Sequence, residues 1–469
     1  MTEKTRDIMQ EANLISRMER LPLSKPLYII LAILATIWVI EAFDVGIITS
    51  IMAPLTKLWS LTPAEVGRLG SCSTAGIVIG TACAGFLTDK FGRKRVLIFG
   101  TLIFTFFTMI GALFSSYKWV VVMRFISGLG GGAVFPQPTL MISEIAPAKY
   151  RGRLVGICNS MLTFAFMLPA LIGSWALNHF AVDIAWRIPF IIGGTPIILV
   201  FFMYKWIPES PRWLMKHGRY DEVRTLVERF EKSGGITPDT TYIDPQILDN
   251  LKQTSEDEKK RGKTSWTMLF RPPYLSRTLV TWGLYTAGLI NWYVIMVYLP
   301  TIISTFGIEV SQSIMITGVL IFIAGFGGIA IGPIADKYGR KPTFAVFLGI
   351  TILAFALVPS AFELKAILLL LGSVITFFSI GANSIIKVYI TEQYPTELRG
   401  VGAGFAEAFA RFFGGVLATY YLAFFLATGG VAGVFYFLAA TYAVALISTL
   451  IFGRETAGRS VEEVSAENN

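Results

Sequence analysis

The side chains of this sequence that could do chemistry are a few ionisable groups set in apolar surroundings. The run IEAFDVGIITSIMAPL carries Glu41 and Asp44, three residues apart and so on one face if the run is helical. KWVVVMRFISGLGGGAVFPQP carries Arg124, and GAGFAEAFARFFGGV carries Glu407 and Arg411. A charge among Leu, Ile and Phe is costly unless it pairs, takes up a proton or lines water, so each marks a site by default. Such groups offer reversible chemistry: a proton bound or released, an anion held, an ion pair made or broken. His179 and His217 fall outside the apolar runs, while Cys72, Cys83 and Cys158 fall inside them without metal-ligand spacing. No GxxxxGK[ST] nucleotide signature occurs. Neither an enzyme, a metal site nor a cofactor is expected.

The elements that must hold these groups follow from composition. Hydrophobic residues make up 54% of the chain and charged residues 15%, which is the balance of a polytopic membrane protein. Apolar runs long enough to cross a ~30 Å hydrocarbon core as helix lie at 27–55, 67–88, 96–115, 119–143, 154–178, 186–206, 277–305, 313–334, 343–361, 366–390, 401–427 and 431–452. The expected fold is all-α, with twelve spans in two pseudo-symmetric halves of six, 27–207 and 277–453. Two motifs occur twice at nearly the same offset: GFLTDKFGRKR from Gly85 with GPIADKYGRKP from Gly332, and EIAPAKYRGRLVG from Glu144 with EQYPTELRGVGAG from Glu392. Doubling on this scale is the mark of parallel repeats. Segments 1–26, 208–276 and 454–469 read as cytoplasmic. The first lacks a signal peptide's apolar core, and the second combines amphipathic helices around Val223, Leu226, Val227 and Phe230 with a solvated run from Ser255.

The net charge of +9 is explained by topology. Lys90, Arg93, Lys94 and Arg95 lie between spans 2 and 3, Lys149, Arg151 and Arg153 between 4 and 5, and Lys337, Arg340 and Lys341 between 8 and 9. The loops near Asp183, Glu309 and Gly429 contain no Lys or Arg. The positive-inside rule then places both termini in the cytoplasm, and no nucleic-acid partner is implied.

Depth pairs the charges. At helical rise Asp44 stands ~26 Å above the inner face and Arg124 ~8 Å below the outer one, so they meet in the outer half. Gly128, Gly130, Gly131 and Gly132 allow close helix approach. Arg411 comes out ~18 Å deep and needs either Glu407 on its own helix or an anion in a cavity. Asn291, Trp292, Tyr293 and Tyr298 in span 7, Asn383 and Lys387 in span 10 and Gln137 in span 4 are further candidates to line that cavity.

The doubled G-x-x-x-D-x-x-G-R-[KR] loop resembles that of the major facilitator superfamily, over essentially the whole chain. RFISGLGGGA, EIAPAKYRGR, PESPRWL and GRETAGRSVEE resemble its branch of sugar porters, organic-ion transporters and bacterial metabolite:proton symporters. EAFDVGI and EQYPTELRGVGAGFAEAFARFFGG look closest to the nicotinate and aromatic-acid side. The resemblance implies that Asp44 and Arg124, with Glu41 beside them, couple transport to protons. It implies too that Arg411 contacts a substrate's negative charge. It further implies that Asp89, Arg93, Glu144, Arg151, Arg153, Glu209 and Arg212, with Asp336, Arg340, Glu392 and Arg399, hold the inner gate shut. Hexose porters carry paired glutamines where this chain has Tyr285-Thr286, and a Trp where it has Lys387; both departures argue against a hexose, and the cationic replacement argues for an anion.

The expectation is a monomeric plasma-membrane symporter of protons and a small organic acid, aromatic acids included, with the lipid bilayer as its other partner. Arg411 and Lys387 would hold the carboxylate while Asn291, Tyr293, Asn383, Gln137 and Trp292 orient the rest. An organic-cation carrier balanced by Glu41, Asp44 and Glu407, a sugar or polyol porter, and a non-transporting membrane sensor are the alternatives.

Overall fold

A computed structural model describes residues 3–239, 241–249, 251–252, 266–272, 274–394 and 396–456. Spans 1 to 3 are the helices Lys25–Leu58, Pro63–Phe91 and Arg93–Gly111. Span 4 is divided into Tyr117–Val134 and Gln137–Ile145 at Pro136, whose ring and missing N–H interrupt the helical ladder. Span 5 consists of Ala148–Ala165 and Met167–His179, and span 6 covers Val182–Trp206 in short helical pieces. Spans 7 to 10 are Tyr274–Thr305, Val310–Tyr338, Arg340–Leu357 and Lys365–Glu392. Span 11 starts as Thr396–Arg411, passes through a π turn at Phe412–Val416 and resumes at Ala418.

Ten helices among the described residues are long and apolar enough to cross a membrane. One of them, Val401–Phe452, contains Gly430 at φ 61° and ψ −161°, a bend that glycine takes without strain and that separates span 11 from span 12. Span 5, divided at Phe166, is not among the ten. With both corrections the count is the twelve expected.

Within the halves, spans 2 and 4 pack as spans 8 and 10 do, and between them spans 1 and 7, 2 and 11, and 5 and 8 meet. Glycine permits the span 2–span 4 contact: a Cβ on Gly128 would collide with the Ser73 carbonyl and one on Gly132 with Ile77. Gly130 faces span 3 instead, and Gly131 faces open space. Away from the basic loops the halves are tied shut. Thr49 donates to the Met296 carbonyl at 2.7 Å and Thr419 to the Gly67 carbonyl at 3.0 Å.

The N-terminal segment, expected only to be polar, contains an amphipathic helix, Glu3–Glu19. Its Leu14 and Met18 are buried with Val223, Leu226, Val227 and Phe230 of the helix Tyr220–Gly234. Arg17 pairs with Glu231 at 2.6 Å, and that hydrogen bond raises the guanidinium above its ordinary pKa against the opposing effect of burial. The run from Ser255 lies outside the described residues.

Candidate functional site

Asp44 and Arg124 meet where helical rise places them. Arg124 Nη1 lies 2.9 Å from Asp44 Oδ1, and its Nη2 donates to the Asp44 carbonyl at 2.9 Å. Thr108 of span 3 donates to Oδ1, and Ser127, one turn beyond Arg124, donates to Oδ2 at 3.1 Å. Phe190 of span 6 covers the guanidinium, 5.9 Å from its ring centroid. Both charged side chains are buried, and the Asp44 carboxylate is satisfied entirely by its own half. Such a pair is stable only while both partners are charged, since removing one leaves an uncompensated buried ion. A narrow cavity lined by Val45, Ser73, Thr74, Trp292 and Tyr293 reaches Arg124 from the side of the other half.

A second cluster spans the gap between the halves. Phe135, at the Pro136 break of span 4, has the Arg411 guanidinium 4.7 Å and the Lys387 ammonium 5.7 Å from its ring centroid. Arg411 Nε donates to Glu407 at 2.6 Å, and the Tyr285 hydroxyl donates to the other oxygen of that carboxylate. Glu407 therefore does act as the internal partner on the helix of Arg411. It takes only the Nε edge: among the described residues neither terminal amino group of Arg411 donates a hydrogen bond, and exposed Lys387 forms no ion pair. The π turn that begins just after Arg411 is a feature often found at functional sites. Tyr293 packs against Gly415 of that turn beside Thr74, and Trp292 stands edge-on to Phe166 at 5.1 Å.

Glu41 is 2% exposed, and its Oε2 has no hydrogen-bond partner. It lies within electrostatic reach of Arg411, Lys387 and Asp44. One turn before it, Trp38 Nε1 donates to the Phe135 carbonyl at 3.1 Å, which fixes span 1 against the aromatic centre of the cluster.

The other expected ligand-binding residues are arranged differently. Asn291 stands about 200° around the helix from Tyr293 and donates to Ala287 at 2.9 Å and to Thr441 of span 12 at 3.2 Å. It packs inside its own half. Asn383 joins span 10 to span 7 through the Gly288 carbonyl at 3.0 Å, and Gln137 donates to Ala133 at 3.2 Å, with its Oε1 buried and unpartnered. The sequence reading missed Phe135, Thr108 and Ser127. Ser127 had a signal, its i, i+3 spacing from Arg124; Phe135 had only the following proline.

The charged loops form two matching cages. Gly92 at φ 91° and Gly339 at φ 100° turn the chain between helices, and a Cβ on Gly339 would meet the Glu455 carboxylate at 2.9 Å. The helix N-termini that follow lack side-chain caps of their own. Glu209 accepts instead from the backbone of Arg93 at 2.8 Å and Lys94 at 3.1 Å, and Glu455 from Arg340 at 2.7 Å and Lys341 at 2.9 Å. Arg93 pairs with Glu144 at 2.7 Å as Arg340 does with Glu392 at 2.9 Å, and Ser210 and Thr456 donate to those same glutamates. Asp336 adds a bond to Arg340 at 2.6 Å, whereas Asp89 and Arg212 are exposed without ion pairs among the described residues. Each of these pairs joins elements of one half, not the two halves to each other. Arg151, Arg153 and Arg399 lie on helical backbone, but their side chains fall outside the described residues.

Residues 32–467 match the family model described as "Sugar (and other) transporter". The chain is 31% identical to the niacin transporter NiaP of Acinetobacter baylyi, over 96% of this chain and 99% of that one. It is 26% identical to the 4-hydroxybenzoate transporter PcaK of the same species, over 83% of each. Among solved structures, the inward-open xylose transporter XylE of E. coli aligns at a TM-score of 0.74 and 18% identity, covering 94% of this chain and 99% of that one. Identity this low shows the fold alone.

Proposed function

The chain belongs to the sugar (and other) transporter family of the major facilitator superfamily, and from that premise we propose that it imports a small aromatic carboxylate by proton symport. It is a multi-pass membrane transporter. The observation that carries the substrate reading is the pair of cations, Arg411 and Lys387, flanking the Phe135 ring with donor groups left over. A carboxylate bound bidentately by a guanidinium is among the stronger charge-assisted contacts, and an aromatic ring lies readily on another. The similarity to the niacin and 4-hydroxybenzoate transporters, both carriers of ring acids, supports the same class.

The cycle is alternating access, with the basic loops and both termini in the cytoplasm of a plasma-membrane monomer. On that orientation the packed contacts Thr49–Met296 and Thr419–Gly67 lie on the outer side, so this state faces inward. Asp44 couples the proton. Ionised, it holds Arg124; protonated, it loses most of that attraction and shifts which arrangement of spans 1, 3 and 4 is favoured. The two cages are formed in this state and join elements within each half, so they brace the inner loops of each half and do not by themselves close the inner side.

Flux in reconstituted vesicles tests the reading. Labelled ring carboxylates should accumulate when the outside is made acidic and collapse with a protonophore. Accumulation of amines or sugars in place of carboxylates would overturn it.

A further inference from the structure

Spans 2 and 3 both pack closely on span 4 but barely touch each other, so a V-shaped groove opens between them toward the lipid. Its walls include Cys83 and Leu87 of span 2 and Phe99 and Ile103 of span 3, its floor includes Gly130 and Ala133 of span 4, and its volume is about 680 Å³, room for a hydrocarbon chain. Apart from Arg95, at the end beside the basic loop, the lining is apolar. Arg95 is exposed, and among the described residues its guanidinium forms no ion pair. We propose that this groove holds one anionic phospholipid, with its phosphate at Arg95 and one acyl chain between spans 2 and 3. The inference holds whatever the chain carries, and on the orientation proposed above the lipid belongs to the cytoplasmic leaflet.

Length and charge both select that occupant. From Arg95 to Ile103 the groove follows span 3 for ~12 Å at helical rise, which is most of the depth of one leaflet in a ~30 Å hydrocarbon core. A cation at headgroup level attracts anionic lipids, and a guanidinium offers a phosphate two parallel donors. The neighbouring charges leave this role to Arg95. Arg93 pairs with Glu144, and the Lys94 ammonium donates to the Tyr204 carbonyl at 2.8 Å. Lys90, its ammonium 5.3 Å from the Phe91 ring centroid, adds positive charge at the same end of the groove. Asp89 comes two residues after Leu87 and so stands off the helix face that lines it.

The second half is an internal control. Spans 8 and 9 also pack on span 10 and barely touch each other, but their loop has Pro342 where the first has Arg95. The offset between the repeats carries Gly100 onto Phe347, and Gly130 onto the neighbourhood of Phe377 and Phe378. Phe347 is buried and its ring meets that of Phe378 at 4.9 Å, so the second half fills with its own side chains the corner that glycines leave open in the first. Cation and open groove thus occur together in the first half.

The test uses purified full-length protein in detergent and native mass spectrometry, with equimolar phosphatidylglycerol and phosphatidylcholine of identical acyl chains. Wild type should retain one phosphatidylglycerol about five-fold more than phosphatidylcholine, the ratio expected for one cation beside an anionic headgroup. Arg95→Gln should bring the two lipids level while lipid is still retained. Cys83→Trp, which puts an indole into the groove, should lose the bound lipid of either kind, and Lys337→Gln in the matching loop of the second half should change neither retention nor ratio. All three positions are exposed, so the fold is kept. Equal retention of the two lipids by wild type, an undiminished preference in Arg95→Gln, or full retention in Cys83→Trp overturns the inference. Displacement of the lipid by excess glycerol phosphate would assign the site to the headgroup alone, and a dimer in place of the lipid adduct would assign the groove to a second copy of the chain; either result overturns it too.

Discussion

Among the buried arginines, Arg124 and Arg411 each sit beside a carboxylate well inside a membrane span, and they are finished differently. Arg124 is bonded to Asp44 through two of its nitrogens, Thr108 and Ser127 occupy the remaining capacity of the carboxylate, and a phenyl ring closes the lid. Arg411 gives one edge to Glu407 and keeps its terminal groups beside the gap between halves. The first arrangement is closed within its own half, although Arg124 Nε is left without a partner, and it changes by moving a proton or a helix. The second leaves donor groups that, on the proposed reading, a substrate carboxylate completes. On the proposed function, the same two residue types would serve as a switch in one place and a receptor in the other, distinguished by what surrounds them.

The largest effect is expected from Arg411→Ala. It should weaken binding of a ring carboxylate by a hundred-fold or more, on the order of 3 kcal/mol for a desolvated charge pair, as measured by titration; an unchanged affinity would move the anion site to Lys387 and undo the contrast. Asp44→Asn should next abolish pH-driven accumulation in vesicles while leaving substrate exchange across the membrane intact. The same variant leaves Arg124 buried without a counter-charge and should lower thermal stability by roughly 3 kcal/mol, most of it recovered in the double variant Asp44→Asn with Arg124→Leu. Failure of the double variant to recover would show that the pair is not self-contained.

Glu407→Gln sharpens the comparison in the other direction. Removing the internal anion frees Arg411 and should tighten carboxylate binding by several-fold, roughly 1 kcal/mol, whereas a charge-removing change beside Arg124 only destabilises. The smallest effect belongs to the cages. Asp336→Asn should cost about 0–1 kcal/mol in thermal unfolding because its carboxylate, though bonded to Arg340, is 70% exposed, and Asp89→Asn should cost nothing measurable.

The repeat offers a further contrast. The offset between the doubled loops carries Asp44 onto Asn291 and Arg124 onto the neighbourhood of Gly372. There the second half has an apolar cavity, lined by Val294, Phe355, Gly372, Ile375 and Phe435, with no charge in it. The two halves share a scaffold, and the first contains the ion pair where the second has an apolar cavity. That explains why Asn291, read from sequence as a cavity-lining residue, is bonded inside its own half to Thr441.

The chain by itself determined the number of spans, the two-fold repeat and the meeting of Asp44 with Arg124. Hydrophobic length, the rise of a helix and the cost of an unpaired charge in lipid are local or one-dimensional quantities, and they leave few arrangements open. Whether Arg411 would be neutralised or left available, that Phe135 would lie within reach of two cations, and that Glu41 would be buried with Oε2 unpartnered were decided only by tertiary structure. Each depends on how two rigid halves dock and how far each helix is rotated about its axis, and a rotation of half a turn separates Tyr293, beside the π turn of span 11, from Asn291, against span 12. Periodicity fixes which residues share a face, while only packing against the other half fixes which way that face points.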